Sequence, residues 1–156
     1  MALLESLAAL PPGAWLRGSA TLYIVVSAAH IVSIGLLIGA IVPLDLRLVG
    51  LLPPGPLAVL APVLARGAAV GLALALLTGA WLFLAQPIEY AGNRAFRLKL
   101  ALVLLATLNA LWVRRGRAWR HALAQGRAPI ALRLHAALSL LAWLGCVLAG
   151  RWIGFL

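Results

Sequence analysis

The sequence predicts an all-α integral membrane protein, a four-helix up-down bundle. Three observations predict it. Hydrophobic residues make up 65% of the 156-residue chain, against roughly 45–50% in soluble domains. Charged residues make up 10%, against about 25% in the same reference. The apolar residues gather into four stretches nearly free of charge, each close to the roughly 20 residues that cross a bilayer. Mean hydropathy is +1.08, and a chain this small would leave about a third of its surface in water. A soluble enzyme is therefore excluded. Cys146 is the only cysteine, which excludes a disulfide scaffold or a zinc ribbon.

Residues 1–18 are expected to form an N-terminal interfacial segment. Leu3, Leu4, Leu7 and Leu10 fall on one helical face, suited to lying on a membrane surface. Pro11, Pro12 and Gly13 are expected to break that helix. Glu5 and the lack of a basic start argue against a secretory signal. The bundle proper is expected over residues 19–150, with a tail at 151–156.

The first span is placed at about residues 19–44, with no formal charge between Arg17 and Asp45. The stretch Leu48–Ala65 is apolar but carries Pro53, Pro54, Pro56 and Pro62, so it is expected to be a broken interfacial loop. The second span is placed at about 67–86, uncharged from Arg66 to Glu89. The third is placed at about 95–113. Only 14 residues separate Lys99 from Arg114, so Arg97 and Lys99 must reach a headgroup region. The fourth is placed at about 130–150, between Arg133 and Arg151.

Small residues predict close packing. Gly67, Gly71, Ala75 and Gly79 recur every four residues, a spacing that lets helix backbones approach. Gly35 and Gly39 form a GxxxG pair that could face a second protomer. Ser139, Ala142, Cys146 and Ala149 share one face of the fourth span.

The net charge is +10, and its distribution predicts orientation rather than nucleic-acid binding. The connections after the first and third spans carry Arg47, Arg66, Arg114, Arg115, Arg117, Arg120, Arg127 and Arg133. The opposite side carries Arg17, Arg94, Arg97, Lys99 and Arg151. Basic loops stay in the cytoplasm, so both termini are expected outside. The segment RRGRAWRHALAQGR is expected to be a stop-transfer loop beside the lipid headgroups.

Few polar residues lie inside the spans. His30 falls close to mid-membrane, on a face shared with Tyr23 and Ser27. An ionisable group there suggests a functional site, and a histidine hydrogen-bonded to a neighbouring helix is the plainer alternative. His135 lies toward the cytoplasmic end of the fourth span, with Ser139 on its face. Asn109 and Thr78 are the other mid-membrane polar groups. Asp45 and Arg47 are expected to form a salt-bridged corner, with Arg66 or Arg133 nearby. No nucleophile–base pair, carboxylate pair or phosphate loop is present to assign catalysis.

Several segments carry a resemblance. SATLYIVVSAAHIVSIGLLIGAIVPLDLRLVG, TGAWLFLAQPIEYAGNRAFRLKL, LATLNALW and ALSLLAWLGCVLAGRWIGF resemble a group of small bacterial four-helix membrane proteins of unknown function. More remotely, the first-span histidine followed by glycines is similar to HemJ-type protoporphyrinogen oxidases and CopD-type copper-resistance proteins. That resemblance implies a bacterial inner-membrane location and a haem b ligated by His30, or metal handling. Ser27, Asn109 and Ser139 would then face the cofactor, and His135 is a further candidate metal ligand. The third span offers Thr107, Asn109 and Trp112 but no histidine.

Three functions are therefore carried forward: a haem-linked membrane protein, a non-catalytic anchor or assembly subunit for a periplasmic or membrane partner, and a small metal-handling or transport protein. The charge asymmetry is testable by itself. Alkaline phosphatase fused after the last residue should be active, because periplasmic termini export it. An inactive phosphatase together with a fluorescent C-terminal fusion would reverse the orientation.

Overall fold

The computed structural model describes residues 2–53 and 55–155. Met1, Pro54 and Leu156, which the sequence reading placed in the N-terminal segment, the proline-rich loop and the tail, lie outside the described residues. Eight α-helices follow in order: α1 (Ala2–Ala8), α2 (Pro11–Gly18), α3 (Ala20–Val49), α4 (Leu57–Ala85), α5 (Pro87–Gly92), α6 (Arg94–Arg115), α7 (Arg117–Gln125) and α8 (Ile130–Trp152). A 3-10 turn over Ile153–Phe155 follows α8. Four helices are long and apolar enough to cross a membrane: α3, α4, α6 and α8 with its 3-10 extension.

Each long helix exceeds the span expected of it. α3 runs through Pro43 and past Asp45 to Val49. Proline removes one backbone donor, but Ile41 and Leu44 on either side of it are buried, so packing holds the helix together. α3 stops where Gly50 adopts φ 98°, a left-handed conformation suited to glycine. The Gly50 and Leu51 amides both donate to the Leu46 carbonyl. The expected broken loop at Leu48–Ala65 shrinks to the few residues between α3 and α4, and Pro62 sits inside α4. Burial of Leu57, Ala61 and Ala65 along one face of α4 outweighs the bond that Pro62 forgoes. α6 begins at an N-cap, with the Phe96 amide donating to Asn93 Oδ1 at 3.1 Å.

The basic loop also folds. Its central part is α7, which buries Ala122 and turns Arg117, Arg120 and His121 outward. At the other end, Pro11 and Pro12 start a helix rather than break one, since the first turn needs no amide donors. α2 docks on the end of α4. Trp81 Nε1 donates to the Pro12 carbonyl at 2.9 Å. The Arg17 guanidinium donates to the carbonyls of Leu84, Ala85 and Ala8, placing its charge at the negative end of the α4 dipole.

The spans pack antiparallel in the order α4, α3, α8, α6. The α4 and α6 backbones do not approach within 8 Å (Cα–Cα). That open edge is bridged at its two ends. Phe83 stacks on Phe96 with ring centroids 5.5 Å apart, and Arg114 donates to the Ala65 carbonyl. The tightest contact joins α3 to α4. A Cβ at Gly71 would lie 2.5 Å from the Leu37 amide nitrogen and 3.0 Å from the Ser33 carbonyl. Gly79 lies against the His30 ring. A Cβ at Gly35 or Gly39 would meet nothing within 4 Å among the described residues.

These contacts order two substitutions. Gly71→Leu should destabilise the detergent-purified protein by about 1–3 kcal/mol or more, because its side chain would enter the α3 backbone. Gly39→Leu should melt like the parent. Thermal melts followed by circular dichroism decide it, and two indistinguishable curves would refute the close approach.

Candidate intramembrane polar site

Two separate centres of polar side chains lie within the spans. The first lies between α3 and α4. The Thr78 hydroxyl donates to the Leu74 carbonyl at 2.7 Å, so its oxygen is left to accept. His30 Nδ1 lies 2.9 Å from that oxygen and is the donor. His30 Nε2 then carries the ring's lone pair. Tyr23 and Ser27 share the His30 face of α3, but the partner of His30 is Thr78 across the interface.

The second centre lies between α3, α6 and α8, beneath α7. Asn109 of α6 makes both of its hydrogen bonds to one residue of α8. Its Nδ2 donates to the His135 carbonyl at 3.0 Å. Its Oδ1 accepts from His135 Nδ1 at 2.7 Å. His135 and Ser139, four residues apart, therefore present to one side of α8. Asp45 of α3 faces the same space and is only 3% exposed. Among the described residues, its Oδ2 has no hydrogen-bond partner. Asp45, Asn109, Arg114, Trp119, His135 and Ser139 line a cavity of about 40 Å³ among leucine, isoleucine, valine and alanine side chains.

The expected salt-bridged corner does not form. Asp45 and Arg47 are two residues apart, and such neighbours project from different sides of a helix. Asp45 turns into the bundle. Arg47 turns to the loop carbonyls of Gly55 and Gly126, each at 3.4 Å. Arg114 is committed to the Ala65 carbonyl. Asp45 was thus the residue whose role the sequence reading missed. Its signal was there in LDLRLVG, where Leu44, Leu46, Leu48 and Val49 flank the acid.

Of the other candidates, Asn109, Ser139 and His135 come together, while His30 and Ser27 lie on α3 away from that cavity. A haem at His30 has one free imidazole nitrogen to use. The ring, however, packs on Gly79, and neither the Asp45 cavity nor a second one of about 300 Å³ beside Arg17, Tyr23 and Gln86 is lined by His30. Tyr90, in α5 outside the spans, is pushed up to about 12 by burial and by the neighbouring Tyr23 phenol, and so stays neutral at physiological pH.

Comparison with known families matches residues 17–156 to a family of unknown function, DUF6644. The chain belongs to that family. The match begins within α2 and takes in all four spans, both polar centres included. No curated protein and no solved structure matches the chain, and no likeness to HemJ-type or CopD-type proteins is shown.

The Asn109–His135 pair generates a stability prediction for this family member. Asn109→Ala removes two hydrogen bonds between α6 and α8 and leaves the His135 Nδ1–H in hydrocarbon. Unfolding in mixed detergent–SDS micelles should show a loss of roughly 0.6–2 kcal/mol. An unchanged midpoint would mean that the pair contributes nothing.

Proposed function

We propose that this protein handles a small cation within the membrane, as a transport-class protein centred on Asp45, Asn109, His135 and Ser139. One observation carries the reading: the only acidic residue within the spans is nearly completely buried, has an unpartnered oxygen, and faces a cavity lined by an imidazole and a hydroxyl. Ionisable groups in the apolar layer are costly, and where they persist they mark ion paths and proton relays. The donor set of one carboxylate, one free imidazole nitrogen and one hydroxyl suits a proton or a hard cation better than a soft metal, which prefers thiolate and thioether. In the same reading the protein sits in a bacterial inner membrane. The arginine-rich end, where this cavity lies, is cytoplasmic, and both termini are periplasmic.

The test is flux in vesicles. Purified protein is reconstituted into liposomes with proton-, sodium- or potassium-sensitive dyes, and a membrane potential is imposed. Uptake of one of these ions should exceed that of empty vesicles and fall to background in Asp45→Asn. Background flux of all three, or flux unaffected by Asp45→Asn, overturns the reading. An absorption spectrum of the same preparation tests the haem alternative, since a Soret band lost in His30→Ala would move the function to His30. A colourless, flux-silent protein that retains a specific membrane partner would favour the anchor alternative.

A further inference from the structure

We propose that Asp45 is a proton-binding site: its carboxyl holds a proton in the arrangement seen here and exchanges it with His135 through water in the shared cavity. The proposal rests on the transport reading and names its ion.

Geometry separates the two states of Asp45. An ionised carboxylate buried in a low-dielectric interior needs a charged partner or several donors. The cavity offers a cation, because Arg114 lines it from α6. Charge-assisted hydrogen bonds are roughly twice as strong as neutral ones, so an anionic Asp45 should draw the Arg114 guanidinium away from a backbone carbonyl. Arg114 instead donates to the Ala65 carbonyl of α4, and Asp45 Oδ2 remains unpartnered. With no cation upon it, the buried carboxyl is favoured in its neutral form.

The surroundings supply few other charges. From α8 comes His135, whose Nδ1–H is held by Asn109, leaving Nε2 as a base. From α7 comes Trp119, which carries no charge. On α3 itself, Arg47 turns to the loop carbonyls. On α4, Arg66 is exposed. Glu5 and Glu89, the only other acids, lie outside the spans.

Volume and ligand number then select the ion. A buried water needs roughly 10–15 Å³ of such space, so a cavity of about 40 Å³ holds roughly two or three. These waters can accept the Asp45 proton and donate to His135 Nε2. A hard metal ion takes about six or more oxygen ligands when it is well held. Here Asn109 Oδ1 is already spent on His135, which leaves the carboxylate, the Ser139 hydroxyl and water. A proton needs no such shell. Binding is a simple balance: the carboxylate takes up one proton to become the acid, and releases it to water or to His135, which becomes imidazolium.

Asp45 is the only aspartate in the chain, so the test needs no substitution to isolate it. Protein labelled with ¹³C at the aspartate carboxyl is reconstituted in lipid and followed by infrared spectroscopy across pH. The labelled carbonyl band of a neutral acid should be present near neutral pH, shift in D₂O and disappear on alkalinisation. Arg114→Gln should move that disappearance to higher pH, because the carboxylate loses its nearest lining cation. His135→Gln should shift the neutral-acid band without abolishing it. A labelled carboxylate that stays ionised down to the pH range of an exposed aspartate overturns the proposal, as does a titration untouched by Arg114→Gln. The outcome is independent of flux. A titrating Asp45 in a flux-silent protein would sink the transport reading alone. Sodium or potassium flux with Asp45 always ionised would sink the proton site alone.

Discussion

Inside a hydrocarbon layer a polar side chain finds partners only within the protein, and this constraint organises the four spans. Several polar groups are answered across a helix interface or by their own helix. His30 of α3 is answered by Thr78 of α4, and Asn109 of α6 by His135 of α8. Ser33 donates back to the Ala29 carbonyl of its own helix. These bonds fix the rotation of α4 against α3 and of α6 against α8. Thr107 Oγ1, Trp143 Nε1 and one oxygen of Asp45 are left unanswered among the described residues, and of these Asp45 is the acid, lying where three helices and α7 converge.

Small residues make those bonds reachable. The Gly67–Gly71–Ala75–Gly79 stripe brings α4 onto the backbone of α3, and at Gly79 the missing side chain leaves the space that the His30 ring occupies. On the other side, Gly145 lies against Leu102 and Gly150 against Lys99, which seats α6 along α8. The outer helices α4 and α6 are left apart and are joined only near their ends. The Arg114 bond that ties the basic end of this edge comes from a residue that also lines the Asp45 cavity.

The two ends of the bundle are built on different chemistry. At the end that carries the termini, α2 caps α4 through Arg17 and Trp81, and aromatic rings of Phe83, Tyr90 and Phe96 cluster beside it. At the opposite end, arginines dominate, and α7 lays Trp119 and Ala122 inward while Arg117 and Arg120 face out. Such a basic amphipathic helix suits the boundary between hydrocarbon and headgroups. It also closes the Asp45 cavity through Trp119.

The sequence by itself determined the class of fold, the number of spans, the close-packing role of Gly71 and Gly79, and the small set of polar residues from which a site could be made. These follow from composition and from spacings of three and four residues, which are local properties of a helix. The tertiary structure decided where the helices end, since burial of Leu48, Leu57 and Ala61 carries them through Pro43 and Pro62 against local preference. It also decided which polar residues meet. Ser27, His30, Asn109, His135 and Ser139 were all visible as candidates, but nothing in their spacing says that His30 turns to Thr78 while His135 turns to Asn109. Asp45 shows the reason most plainly. Beside Arg47 in the sequence it suggests an ion pair, yet the helix directs the two side chains apart, and only the packing of α8 against α3, with α6 across the cavity, turns the acid into a buried group facing that space.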